Sequence, residues 1–173
     1  VAEIMQQLHA ALMSCGDIHI VDDAEGLELV DMLGAGGFGT AELRRVPGSD
    51  GASNGSFIVV KRIALHTVRE GQTKHIVQEV RNGAVLRHPH IVHLYGAYID
   101  DRSRTFCMLQ QFAAGGTLEK RLPYQRSRGP LDESDVALWL SQLCSAMAYM
   151  HERRVLHRDL GSANVFLDFY GDV

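Results

Sequence analysis

The spacing of apolar residues changes once along this chain, and that change limits the folds open to it. Up to Gln111 the pattern is one of short strands: Leu27 to Leu33, Thr40 to Arg45, Phe57 to Ile63, Ile91 to Tyr98 and Thr105 to Gln111. Beyond Asp132 it is helical. Val136, Trp139, Leu140, Leu143, Met147 and Met150 recur at helical steps, and Asp132 is placed to cap a helix running through His151. One helix interrupts the strands over Gln72 to Arg87, with Ile76, Val80 and Ala84 on a stripe, although Gly83 costs about 1 kcal/mol relative to Ala. A β-rich half followed by an α-rich half predicts an α+β architecture with a small sheet of five strands and a cleft at the join, near Gln110 to Thr117. Ahead of all this, residues 2–14 carry Ile4, Leu8, Ala11 and Leu12 at helical spacing, and Cys15 to Gly26 reads as an acidic connection. Neither segment carries recognisable chemistry.

A length of 173 residues suits one core or two small lobes sharing a cleft. With a net charge of -4, nucleic-acid binding through overall charge is not expected. The cysteines, Cys15, Cys107 and Cys144, are scattered and odd in number, which fits a reducing compartment better than a disulfide framework or a zinc site. No apolar run reaches the ~20 residues that cross a bilayer, and no signal peptide is evident. Because the first residue is Val, the sequence is expected to be preceded by more chain.

Three features carry chemistry. Gly34-x-Gly36-x-x-Gly39 joins two strand-like runs; alone it suits any tight turn, and the same spacing occurs in dinucleotide-binding folds. Here Thr40 to Leu43 continues as strand, which favours a flap whose backbone N–H groups cover phosphates, with Phe38 at its tip. Lys61 ends the apolar run Phe57-Ile58-Val59-Val60, where an ammonium is costly unless it meets anions. Glu79, eighteen residues on and within the predicted helix, is a partner for it. The third feature is His157-Arg158-Asp159-Leu160-Gly161-Ser162-Ala163-Asn164, which matches H-R-D-x-x-x-x-N and follows the long helix.

On these residues the chain resembles the eukaryotic protein kinases from about Leu29 to its end. The fold implied is a five-stranded antiparallel sheet with one helix, followed by a truncated helical lobe. The implied boundaries are an extension at 1–26 and a partial kinase domain at 27–173, with the first lobe at 27–110, a linker at 111–117 and part of the second lobe at 118–173. Gly115-Gly116-Thr117-Leu118, Trp139, Gln142-Leu143-Cys144 and Ser162 to Leu167 make it similar to the NIMA-related Ser/Thr kinases.

The resemblance implies ATP and Mg²⁺ as cofactors and a protein with a Ser or Thr acceptor as partner. Charge and hydropathy make neither nucleic acid nor membrane an expected partner, and the expected location is cytoplasmic, with nuclear or cytoskeletal association left open. The resemblance gives Asp159 as the catalytic carboxylate, Lys61 and Glu79 as the pair that holds the phosphates, Arg158 as partner of an activation-loop phosphate and Asn164 as a Mg²⁺ ligand. Leu33, Gly34, Gly36, Phe38, Gly39, Ala41, Val59 and Phe166 would surround the nucleotide. Backbone groups of Gln111 and Ala113 would read the adenine edge, and Gln110 would control access to the back of the pocket. His157 would shape its loop by packing and hydrogen bonding.

Two departures stand out. Gly161 occupies the place where Ser/Thr kinases usually carry a Lys, and the sequence stops before an Asp-Phe-Gly motif, expected about four residues past Val173. The fragment by itself is therefore expected to be inactive, and a pseudokinase or scaffold without turnover is the alternative. His88, His90 and His93 read as a helix-to-strand turn rather than a metal site. Lys120, Arg121, Arg126 and Arg128 read as a solvated basic loop.

Overall fold

Backbone hydrogen bonds pair the strands of the first half into one sheet. In a computed structural model, which describes residues 1–14, 19–20, 26–36, 39–47, 56–69, 71–126 and 129–173, the strands are β1 His19–Ile20, β2 Glu28–Gly36, β3 Gly39–Val46, β4 Ser56–Ala64, β5 Leu94–Asp100 and β6 Thr105–Gln111. Their order is β1-β5-β6-β4-β3-β2. The five longer strands are antiparallel neighbours, and β1 adds a parallel pairing to β5 through His19–Gly96 and Ile20–Ala97. The acidic connection thus contains an edge strand that its sequence does not announce. Ile91 is not in β5; its N–H closes a turn on the His88 carbonyl at 3.1 Å, and the strand begins at Leu94.

The chain divides into two compact units, Val1–Val85 with His93–Phe112, and Leu86–Val92 with Ala113–Val173. In the first, residues opposite one another in register share a face. Ala41, Lys61, Met108 and Ala97 make one row across the sheet, and Leu43, Val59, Gln110 and Leu94 make the next. Helix α2, Gln72–Val85, packs on this face by burying Ile76, Val80 and Ala84 against Ile63, Leu94, Ala97 and Met108. Gly83 is explained by contact: a Cβ there would sit 2.7 Å from Leu94 Cδ2. Helix α1, Ala2–Ser14, buries Leu8 and Leu12 in the same core. The opposite face holds Ile58, Val60, Tyr98, Cys107 and Leu109. Beside them Glu42 pairs with Arg44 at 2.7 Å and Arg62 reaches Asp100 at 3.4 Å.

The second unit is built on α4, Glu133–Glu152. Its buried stripe is Trp139, Gln142, Ala146 and Met150, whereas Leu140 is exposed. Gln142 is buried because the turn after β8, Phe166–Leu167, satisfies it: Nε2 donates to Asp172 Oδ1 at 2.7 Å, and Oε1 accepts from the Val173 N–H at 2.8 Å. Trp139 Nε1 donates to the Gly171 carbonyl at 2.8 Å. Strand β8 pairs with β7, Gly116–Thr117, and the stretch read as a basic loop is helix α3, Leu118–Arg126, which holds Lys120, Arg121 and Arg126. Thr117 Oγ1 starts that helix by accepting from the Lys120 N–H at 3.3 Å. Arg128 and Cys15 lie outside the described residues. Among the described residues no helix is long and apolar enough to cross a membrane.

Asp132 caps α4, its Oδ1 accepting from the Ser134 N–H at 2.9 Å and from its hydroxyl at 2.8 Å. These bonds hold its carboxyl below the usual Asp value of 3.8. A carboxyl whose folded value is lowered adds stability above its unfolded value and loses it as the pH falls through the folded one. Asp132→Ala is therefore expected to lower the melting temperature at neutral pH, and the deficit is expected to shrink below pH 3.8 and vanish in stronger acid. A deficit independent of pH in thermal melts would contradict the cap's ionic character.

Candidate functional site

The glycine hairpin is tighter than its sequence suggests. Strand β2 runs on through Gly36 and β3 starts at Gly39, with Gly34 opposite Ala41, Ala35 opposite Thr40 and Gly36 opposite Gly39. The ladder is interrupted between Leu29 and Asp31 and between Met32 and Gly34, so Leu33 lies at an irregularity that bends the strand. Gly39 has φ +120°, and a Cβ there would lie 1.8 Å from the Arg62 carbonyl oxygen. Only glycine allows that approach to β4. Phe38, expected at the tip, lies outside the described residues.

On the face that α2 covers, Ala41, Val59, Lys61 and Gln110 lie together by register. Lys61 Nζ donates to Glu79 Oε1 at 2.7 Å, so the strand lysine and the helix glutamate meet. Their side chains are 32% and 42% exposed, and a pair so open to solvent contributes only about 0.2–1 kcal/mol. Each fully buried Ile or Val on α2 contributes about 1.5–3 kcal/mol. Packing, not the ion pair, fixes where α2 lies. At the end of β6 the Gln111 N–H donates to the His93 carbonyl at 2.9 Å, while Gln111 Oε1 accepts from the His93 N–H at 3.2 Å.

The second unit holds the remaining candidates. Asn164 Nδ2 donates to the Asp159 carbonyl at 2.8 Å and to Asp159 Oδ2 at 2.9 Å, which closes the loop on itself. His157 Nδ1 accepts from the Asp159 N–H at 3.3 Å. Arg158, between them, has φ +64°, a left-handed conformation uncommon for a non-glycine residue and held here by these flanking bonds. Asp159 and Asn164 are exposed. Phe166 sits on β8 opposite Thr117 and is 41% exposed, and the Ala113 carbonyl accepts from the Gly116 N–H at 3.2 Å. Gly115 lies so close to β8 that a Cβ would meet the Asp168 carbonyl oxygen at 2.4 Å.

A protein kinase domain model matches residues 27–173. The chain belongs to the protein kinase domain family. Its curated relatives include an Aurora kinase of Patiria pectinifera, 35% identical over 82% of this chain and 33% of that protein. The serine/threonine-protein kinase Nek11 of Mus musculus, a NIMA-related enzyme, is 32% identical over 80% of this chain and 22% of its own length. Aurora kinase B of Xenopus tropicalis is 32% identical over 82% of the chain and 37% of its own length. The kinase domain described here thus spans between about a fifth and two fifths of the length of these relatives.

The residues present suit the groups that the family uses. An ammonium has more donors than Glu79 engages, so Lys61 can bond phosphate oxygens while paired. Asn164 spends its amide N–H on Asp159 and keeps Oδ1 as an acceptor; hard oxygen donors of this kind suit Mg²⁺, which is commonly bound by few protein ligands together with substrate phosphates. Among the described residues no group of three or more His, Cys, Asp or Glu side chains is arranged to hold a metal ion. The histidines of residues 88–93 have other partners. His88 Nδ1 accepts from the His90 N–H at 3.2 Å, its Nε2 lies 3.2 Å from Ser145 Oγ, and its ring packs on Tyr149. Burial, His90 and Arg153 lower the His88 value.

Proposed function

We propose that the protein carrying this domain is a serine/threonine kinase that moves the γ-phosphate of ATP to a Ser or Thr hydroxyl of another protein. The Lys61–Glu79 pair at 2.7 Å is the observation that carries this reading, because a half-exposed ammonium held by a carboxylate on the α2 face of the sheet is equipped to take phosphate oxygens. The relatives named as serine/threonine kinases support the acceptor class.

In this reading Lys61, oriented by Glu79, fixes the phosphates, and the backbone of Gly34 to Gly39 covers them. Leu33, Ala41, Val59 and Phe166 line the adenine, Gln111 and Ala113 bond its edge, and Gln110 limits the depth of the pocket. Asn164 holds Mg²⁺, which when bound neutralises charge on the phosphate oxygens. Asp159 takes the hydroxyl proton as the hydroxyl oxygen bonds the γ-phosphorus and the P–O bond to the ADP leaving group breaks. Arg158 pairs with a phosphate on a regulatory segment. The domain occupies 27–173, with residues 1–26 as an extension.

Lys61→Met is expected to weaken Mg-ATP binding by about 10- to 100-fold, the loss of a charged hydrogen bond. Isothermal titration of the intact protein measures it, and an unchanged dissociation constant would refute the assignment. A second reading, a scaffold without turnover, is favoured by Gly161, which leaves no cation beside Asp159 at that position.

A further inference from the structure

The extension ahead of the matched residues is part of the first unit's core. Leu8, Ala11 and Leu12 of α1 are 1%, 3% and 3% exposed, and Leu8 and Leu12 join Ile76, Val80 and Ala84 of α2 in one apolar cluster, with Ile4, Met5 and Val77 packed against it. Ala10 and Ala11 of α1 and Val77 and Gln78 of α2 line a shared groove. Further on, β1 is fastened to the edge of the sheet beside β5. The family's residues begin at 27, so α1 and β1 pack on α2 and β5 from outside the part of the chain shared with the kinase domain.

Glu79 lies between Gln78, which faces the α1 groove, and Val80, which is buried in the common cluster. Its bond to Lys61 is too exposed to hold a helix in place, so the position of Glu79 follows from whatever α2 packs against. One wall is the sheet. The other is α1.

We propose that α1 is a brace that positions Glu79: Leu8 and Leu12 hold α2 where its carboxylate meets Lys61, and loosening α1 disengages the pair. Leu8 and Leu12 are thus positioning residues for nucleotide binding. The proposal rests on the reading of Lys61 and Glu79 as the phosphate-holding pair.

The test is a double-mutant cycle on Mg-ATP affinity in the full chain, with Leu8→Ala/Leu12→Ala, Glu79→Gln and their combination, alongside hydrogen exchange resolved by element. Each change alone is expected to weaken binding roughly fivefold, and the combination no more than Glu79→Gln alone, because α1 acts only through that carboxylate. Exchange in α2 is expected to quicken about tenfold or more while β4 and β6 stay protected. Affinity like that of the unchanged chain, or losses that multiply, would overturn the brace. So would loss of protection in β4 and β6 together with α2, which would make α1 a general part of the core. If the unchanged chain bound no Mg-ATP, the reading of the pair would fail by itself, and selective exchange in α2 would still decide whether α1 braces it.

Discussion

Asp159→Asn in the intact protein is expected to cut phosphoryl transfer by about 10²- to 10⁴-fold while leaving Mg-ATP affinity nearly unchanged. The substituted amide has nearly the same shape, and the bond from Asn164 Nδ2 to the carbonyl of residue 159, now 2.8 Å, does not involve the side chain being changed. The loop should therefore keep its form. What disappears is the basic oxygen: Oδ2 is already engaged by Asn164 at 2.9 Å, and Oδ1 is the atom left to take a proton. An interaction made only in the transition state lowers kcat and kcat/KM together, so that pattern with an unchanged nucleotide dissociation constant is the signature to look for. Turnover that survived the substitution would remove Asp159 from the chemistry.

The parts of this fold legible in the sequence are those decided by near neighbours. Ile76, Val80 and Ala84 form the buried stripe of α2 because helical spacing puts them on one side, and Asp132 caps α4 through a residue two positions away. Lys61 and Glu79 are brought within 2.7 Å by two regular elements, a strand whose period is two and a helix packed on the same face. Tertiary contacts decide the rest. Helix α3 has almost no apolar stripe and contains Pro123, yet it forms where the Leu118 N–H donates to the Val165 carbonyl at 2.8 Å. Strands β1, β7 and β8 are two residues each, too short to show a period. Along α4 the polar Gln142 is buried and the apolar Leu140 exposed, since the partners of Gln142 lie about thirty residues downstream. The role assigned to α1 was hidden for a similar reason. An amphipathic helix announces that it covers something, but not that α2 is what it covers.

Gly161→Lys decides between the two functional readings and is expected to raise phosphoryl transfer by about tenfold or more. Gly161 has φ -157° and ψ 166°, an extended conformation open to any residue, and a Cβ there would meet nothing within 4 Å. Its carbonyl accepts from the Asn164 N–H at 2.8 Å, a backbone bond that a side chain at 161 leaves intact. Neither backbone nor packing therefore requires glycine, and a lysine can be added without distorting Asp159 or Asn164. Removing one preorganised donor from a developing negative charge costs about 10²–10³ in kcat in enzymes where it has been tested, and part of that is what an ammonium two residues from Asp159 would supply. Gly161→Met controls for bulk, having a flexible chain without charge. A gain confined to the lysine, seen in kcat with little change in the nucleotide dissociation constant, supports an enzyme whose rate is held down by the missing cation. If lysine and methionine behave alike and turnover stays at background, the transfer reading fails and a nucleotide-binding scaffold accounts for the same geometry.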